Sequence, residues 1–247
     1  MIKFFRKIRY KLMSEKKTTK YLKYAIGEIV LVVIGILIAI QINEWNRERK
    51  MKLDELDSYQ LIITDLKRDS TLFQTYQDSY NRYLDTYFEL NNINNGNGSF
   101  KNIMPDFIVS NIEFNPVTKN NHQATIEKLR NSNIRDQINA YFRRLNQVQQ
   151  ANDEFNRLIE QVSRPFFLVE QDIFNNAVIF NNDDRTFPPV LRVSGIDTLK
   201  LKRSLGVPQA IPILSKLRMG MGFYLTSLQR SMQENHRLIQ DLEKSLN

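Results

Sequence analysis

The chain's 247 residues suffice for one ordinary domain or two small ones with a real core. Its 35 Lys and Arg against 27 Asp and Glu leave +8, which at first sight suggests a nucleic-acid binder. Position excludes that reading. The first 23 residues hold nine of the bases (Lys3, Arg6, Lys7, Arg9, Lys11, Lys16, Lys17, Lys20 and Lys23) and a single acid, Glu15, so the other 224 carry 26 of each sign. A basic tail on a neutral body lacks the pervasive positive face of a nucleic-acid-binding domain, and no nucleic-acid partner is expected.

The absence of cysteine removes disulfides, thiolate metal sites and thiol catalysis. Eight Gly and seven Pro are few for this length and they cluster, which favours long helices between a few punctuated loops.

In chain order, the basic tail comes first. Phe4, Phe5, Ile8 and Leu12 interleave its bases, so residues 2–13 suit an amphipathic helix lying on anionic headgroups. Each base near such a surface contributes about 1 kcal/mol. Residues 29–40 then contain no polar side chain. Twelve residues alone are too few to span a bilayer, which takes about 20. The flanks supply the rest. Lys20, Tyr21, Lys23 and Tyr24 on one side and Trp45 on the other are the residue types that settle at membrane interfaces. Tyr24 to Trp45 as helix covers roughly 31 Å, the hydrocarbon thickness. The strongly apolar residues contribute roughly −3 to −6 kcal/mol to insertion, which outweighs Glu28 near the end of the span.

A cleaved signal peptide is the rival reading. It is disfavoured by the long basic region and by the bulky Ile38-Ala39-Ile40-Gln41, where a cleavage site needs small residues. An uncleaved signal anchor over residues 24–45 is expected, with a cytoplasmic tail at 1–23 and the remainder, 46–247, outside. Nine bases precede the span and only Arg47, Arg49, Lys50 and Lys52 closely follow it. Gly35 and Ala39 form a small-x-x-x-small pair, and Gly27 lies two turns before Gly35 on nearly the same face, so a second helix could approach there. Glu28 either pairs with a basic group of such a partner, takes part in proton movement, or simply reaches headgroup water.

Three stretches, Met1-Ile2-Lys3-Phe4-Phe5-Arg6-Lys7-Ile8-Arg9, Lys20-Tyr21-Leu22-Lys23-Tyr24-Ala25-Ile26-Gly27-Glu28 running into residues 29–39, and Gln41-Ile42-Asn43-Glu44-Trp45-Asn46, carry a resemblance. They look like the opening of a flavobacterial-type Bacteroidota family of single-span inner-membrane proteins, catalogued as a domain of unknown function. The resemblance is close over about 50 residues and looser over 125–142, where this chain lacks a short stretch after Asn131-Ser132-Asn133. It implies a Gram-negative inner membrane and carries over no catalytic residue.

No Gly or Pro occurs between Gly35 and Gly96. Tyr59, Leu66, Phe73, Tyr80 and Tyr87 recur every seven residues, with Ile62, Tyr76, Tyr83 and Leu90 three later and Asp69 breaking the second row. The membrane helix is therefore expected to run on to about residue 92. Its tyrosine row reads either as core or as a ligand-stacking stripe, and periodicity favours core. A second helix is expected over about 123–163, with Asn133 and Asp136 as its N-terminal signal, Ile134, Tyr141, Val148, Phe155 and Val162 in one row, and Ile138, Leu145 and Ile159 in the other. A third is expected over 209–246, built on Leu214, Met221, Leu228 and Leu242. The fold class is all-α, an antiparallel bundle with two irregular connectors at 93–122 and 164–208. Asn152 and Asn235 interrupt the seams and either fix register or point to the bundle edge.

The second connector holds Phe166, Phe167, Phe174, Phe180 and Phe187. A polar loop of this length is unusual inside a domain, so a short helix within it is expected. The phenylalanines are the best candidate partner surface in the sequence, against the commoner alternative of core packing.

Chemistry is sparse. His122, in an expected loop, and His236 lack a spaced second ligand, so no metal is expected. Asn181-Asn182-Asp183-Asp184 lacks the spacing and terminal Glu of a calcium loop. Gly220-Met221-Gly222 follows no strand and so is no phosphate loop, but it suits close helix packing or a kink. No nucleophile stands with a base, and neither catalysis nor a cofactor is expected. The sequence thus describes a non-catalytic scaffold or partner-binding protein of the cell envelope. Its partners would be anionic lipid at the tail and a protein, or a second copy, at the outer domain. The alternative is a homodimeric periplasmic sensor with a ligand pocket lined by the seam tyrosines.

Overall fold

The computed structural model describes residue 10, residues 18–175 and residues 195–246. The chain divides into two compact units, Met1–Asp57 and Ser58–Asn247. Helix α1 (Thr18–Asn94) supplies most of the described part of the first and opens the second. The absence of Gly and Pro after Gly35 lets it run this far. Its end is a Schellman turn: Asn97 N–H bonds the Asn92 carbonyl at 2.9 Å and Gly96 N–H the Ile93 carbonyl at 3.1 Å. Gly96 adopts φ +82°, the left-handed conformation that such a turn requires.

Within the second unit the expected seam is the core. Tyr59, Leu66, Phe73, Tyr80 and Tyr87 are buried, as are Ile62, Tyr83 and Leu90. Against α1 pack α2 (Val117–Ile126), α3 (Ser132–Leu158) and α5 (Ala210–Leu246), while the short α4 (Thr198–Leu205) packs on α5. Contacts between named residues fix the directions. Lys67 pairs with Glu243 at 2.7 Å, the Tyr80 ring lies edge-on to Tyr224, and Arg218 lies over Phe88. Ascending α1 is therefore descending α5. Along α3, Tyr141 bonds Asn235 while Phe155 and Leu158 meet Gly220, so α3 also opposes α5. The described residues form the all-α helical bundle that the apolar rows predict, with α5 antiparallel to both α1 and α3.

The second helical stretch departs from expectation. It breaks into α2 and α3 at residues 127–131, and Asn131, not Asn133, caps α3 by accepting from Ile134 N–H at 3.2 Å. His122 accordingly lies on helix α2 and not in a loop. Beyond Leu158 the chain widens into two π-helical turns, Ile159–Ser163 and Pro165–Glu170. A proline has no N–H to give to a regular ladder, and a wide turn tolerates its insertion.

The connectors are ordered where described. The first passes through two 3₁₀ turns, Phe100–Asn102 and Pro105–Ile108, and then an extended strip at 110–116. Along the strip Ile112, Phe114 and Pro116 are buried while Asn111, Glu113 and Asn115 are exposed, the alternation of an extended chain lying on a core. In the second connector Phe174 bridges Ile196, and Asp197 caps α4 by accepting from Leu199 and Lys200 N–H. Helix α4 buries Leu201 and Leu205 and is the short packed helix expected there.

Candidate functional site

One feature of the first unit is chemically unusual. Residues 29–40 lie on α1 with no cover: the most apolar window of this helix has a mean hydropathy of 2.6 and none of it is buried. Leu31 is 69 % exposed and Ile29 63 %. Leaving ten such side chains in water forfeits about 1.5–3 kcal/mol each. By length and composition this helix can cross a membrane.

The interfacial candidates flank it. Lys23 and Trp45 are exposed, and Lys20, Tyr21 and Tyr24 take helical positions on α1. Arg47 pairs with Glu44 at 3.2 Å one turn beyond the apolar run. Gly27 and Gly35 both have open space where a side chain would stand. Their shared face needs correcting. Eight residues at 100° each set Gly27 about 80° from Gly35 around the axis, whereas Ala39 is about 40° from Gly35. Any close helix approach would therefore centre on Gly35 and Ala39. Glu28 is half-buried on the same helix.

Two of the five connector phenylalanines belong to the core. Phe167 is fully buried and Phe166 nearly so, the two rings meeting edge-on at 4.9 Å inside the second π-helical turn, so neither offers a surface. Phe174 is half-buried at its bridge to Ile196. Phe180 and Phe187 lie outside the described residues, as does Asn181-Asn182-Asp183-Asp184.

Within the bundle, the row-breaking residue Asp69 carries the main polar feature. Its fully buried carboxylate accepts from Val117 N–H at 2.6 Å, Thr118 N–H at 3.2 Å and the Tyr141 hydroxyl at 3.1 Å. Helix α2 has Pro116 at its N-cap, which provides no side-chain cap. Asp69 therefore caps α2 from a neighbouring helix, where both the open N–H groups and the helix dipole favour a negative charge. Burial, and then the Asp69 charge, pushes the Tyr141 phenol well above its usual range and keeps it a donor.

Asn235 continues the network. It donates to Tyr141 Oη at 3.0 Å and to the Leu66 carbonyl at 3.1 Å, and accepts from Ser70 at 2.6 Å. Asn235 and Asn152 are both buried, which rules out the edge position for either. One turn before Asp69, Asp65 receives Asn121 at 2.7 Å, His122 at 3.0 Å and Arg68 at 2.9 Å. Burial pushes its carboxyl up, but the Asn121 bond, the His122 bond and charge, and Arg68 outweigh this and hold it below the usual range.

The seam tyrosines have a task that periodicity alone did not suggest. Tyr80 Oη accepts from Glu113 N–H at 2.9 Å and lies 3.1 Å from the Glu113 carbonyl, while Tyr76 Oη accepts from Asn115 N–H at 3.3 Å. From α3, Asn156 bonds both main-chain groups of Ile112, at 2.8 and 2.9 Å. An extended strip with no strand beside it must find such partners for its backbone. Burial pushes Tyr80 up to about 12, and Tyr83, Tyr87 and Tyr224 higher still, so these hydroxyls stay protonated. The tyrosine row thus faces the chain's own strip and its own rings, and this occupancy weighs against a ligand-stacking stripe.

Gly220 lets the α3 side chains approach: a Cβ there would stand 3.3 Å from both Leu158 and Phe155. Among the described residues no three His, Asp or Glu gather as metal ligands would. An open groove of about 490 Å³ runs between α2 and α3, lined by Lys119, Gln123, Arg135, Asp136, Asn139 and Arg143. Its mixed charges favour no particular ligand. No known protein family, curated protein or solved structure matches the chain.

Proposed function

We propose that this is a single-pass envelope protein: a signal anchor with its basic tail in the cytoplasm, holding a periplasmic helical domain that binds a protein partner rather than transforming a substrate. The observation that carries the reading is the uncovered apolar run of α1, which a bilayer would cover. The charge excess before it supports the orientation. The resemblance of residues 1–50 supports a Gram-negative inner membrane of the Bacteroidota type. Within the bundle, Asp69 and Asn235 both bond Tyr141, and Asp69, Tyr80 and Asn156 hold α2 and the strip in place, as they would in a rigid scaffold.

The test is extraction of cell membranes with alkaline carbonate, followed by intact-mass measurement. An anchor predicts retention in the membrane pellet with residues 1–45 still attached. A soluble product shortened near Ala39 would mean a cleaved signal peptide and would overturn the reading.

A further inference from the structure

The charge balance of residues 24–247 conceals a strong asymmetry. From Thr198 to Gln233 there is no Asp or Glu, while Lys200, Lys202, Arg203, Lys216, Arg218 and Arg230 are all basic. Two of these are engaged, Lys200 with Asp172 at 2.9 Å and Arg218 on the Phe88 ring. Among the described residues Lys216 and Arg230 have no ion-pair partner.

On α5, Lys216, Met219, Phe223 and Arg230 fall at i, i+3, i+7 and i+14, within about 60° of one another around the axis. All four are exposed, Met219 at 63 % and Phe223 at 67 %. The helix's own apolar face, including Leu214, Leu217, Met221, Tyr224 and Leu228, is already spent on the core. The stripe is therefore a second and separate face: two large apolar side chains with a cation at each end, about 21 Å long.

We propose that this stripe docks an acidic amphipathic helix of a partner protein, which rests on the partner-binding reading above and names the chemistry of that partner. Charge selects the partner: no acid lies on the stripe between Lys216 and Arg230, and Glu234, one turn beyond, pairs with Arg237 at 3.9 Å. Phe, Met and Arg are the residue types enriched at interfaces, and methionine adapts to the shape that it meets. A bilayer is the poorer fit, because interfacial helices insert a whole apolar face and only two apolar side chains protrude here.

The full-length protein in zwitterionic nanodiscs should be titrated with a labelled helical peptide of about 18 residues, with leucines at i, i+3 and i+7 flanked by glutamates, and with its lysine counterpart. The acidic peptide should bind at least about tenfold tighter than the basic one. Lys216→Glu with Arg230→Glu should reverse that preference, and Met219→Ala with Phe223→Ala should weaken both peptides roughly fivefold. All four side chains are exposed, so circular dichroism should show unchanged folding. Equal binding of the two peptides, or a preference that the charge reversal leaves intact, overturns the proposal.

Phe223→Cys gives a unique labelling site in this cysteine-free chain. A polarity-sensitive label there should respond to the acidic peptide and not to anionic lipid alone. A response to anionic lipid without peptide assigns the stripe to the bilayer and also overturns the proposal. These failures leave the carbonate result untouched, and a soluble, cleaved product would leave the peptide titration untouched, so the two ideas fail separately.

Discussion

The Tyr80 hydroxyl serves both main-chain groups of Glu113, accepting from its N–H at 2.9 Å and lying 3.1 Å from its carbonyl, to which it donates. One phenol on α1 thus does for an extended strip what a neighbouring strand does in a sheet. Removing it leaves a donor and an acceptor without that partner, at a cost of about 1–3 kcal/mol. Tyr80→Phe should lower the midpoint of chemical unfolding accordingly. Tyr87, seven residues on in the same row, has a buried hydroxyl with no partner. Tyr87→Phe should therefore be neutral or stabilising by up to about 1 kcal/mol. Two identical substitutions in one seam should differ in sign, and equal losses would contradict the assignment of Tyr80 to the strip.

Asp69 should be the most sensitive polar position of the bundle. Asp69→Ala removes the cap of α2 and the acceptor for Tyr141, and should cost about 3–5 kcal/mol. Asp69→Asn should recover only part of this, since an amide presents one acceptor oxygen and turns a donor toward other donors. Hydrogen exchange should show the loss first in residues 117–126.

The sequence made some of this legible and hid the rest for physical reasons. The rows of α1, α3 and α5 could be read because burial of one helical face imposes its period on the residues themselves. Asp69 stood out as a charge in an apolar row, but its partners lie 48 and 49 residues away on a helix that periodicity had not separated from α3. The break at residues 127–131 contains neither Gly nor Pro, so nothing local announced it. Phe166 and Phe167 show the same limit from the other side: composition marks aromatics as good interface residues and equally good core. The strip at 110–116 shows in the sequence only as an irregular connector, because its backbone partners are supplied by side chains remote in sequence.

The glycines of α5 offer a stability test with opposite outcomes. A Cβ at Gly222 would meet nothing within 4 Å, so Gly222→Ala should gain up to about 1 kcal/mol of helix propensity. At Gly220 the space is taken by Leu158 and Phe155. Gly220→Val should overpack the α3–α5 contact and cost about 1–3 kcal/mol. Thermal unfolding of the two variants in the same detergent checks the pair.

Asp65 gives a pH dependence with a definite sign. Its folded carboxyl titrates below the ordinary value of about 3.9, so its contribution is present above that value and is lost as pH falls through the lower folded one. Asp65→Asn should therefore be less stable than the natural chain at pH 7, with the gap closing below about pH 4. Thermal midpoints of both proteins from pH 7 to pH 3 measure it, and a gap that stays constant across this range would contradict the lowered carboxyl.

Partner binding in the envelope requires the bundle to lie on the outer side of the membrane. Alkaline phosphatase fused after Asn247 folds only outside the cytoplasm, whereas green fluorescent protein exported in the same way stays dark. The charge excess before the apolar run predicts an active phosphatase and a dark fluorescent fusion. An inactive phosphatase together with a bright fluorescent fusion would place the bundle in the cytoplasm and contradict the account.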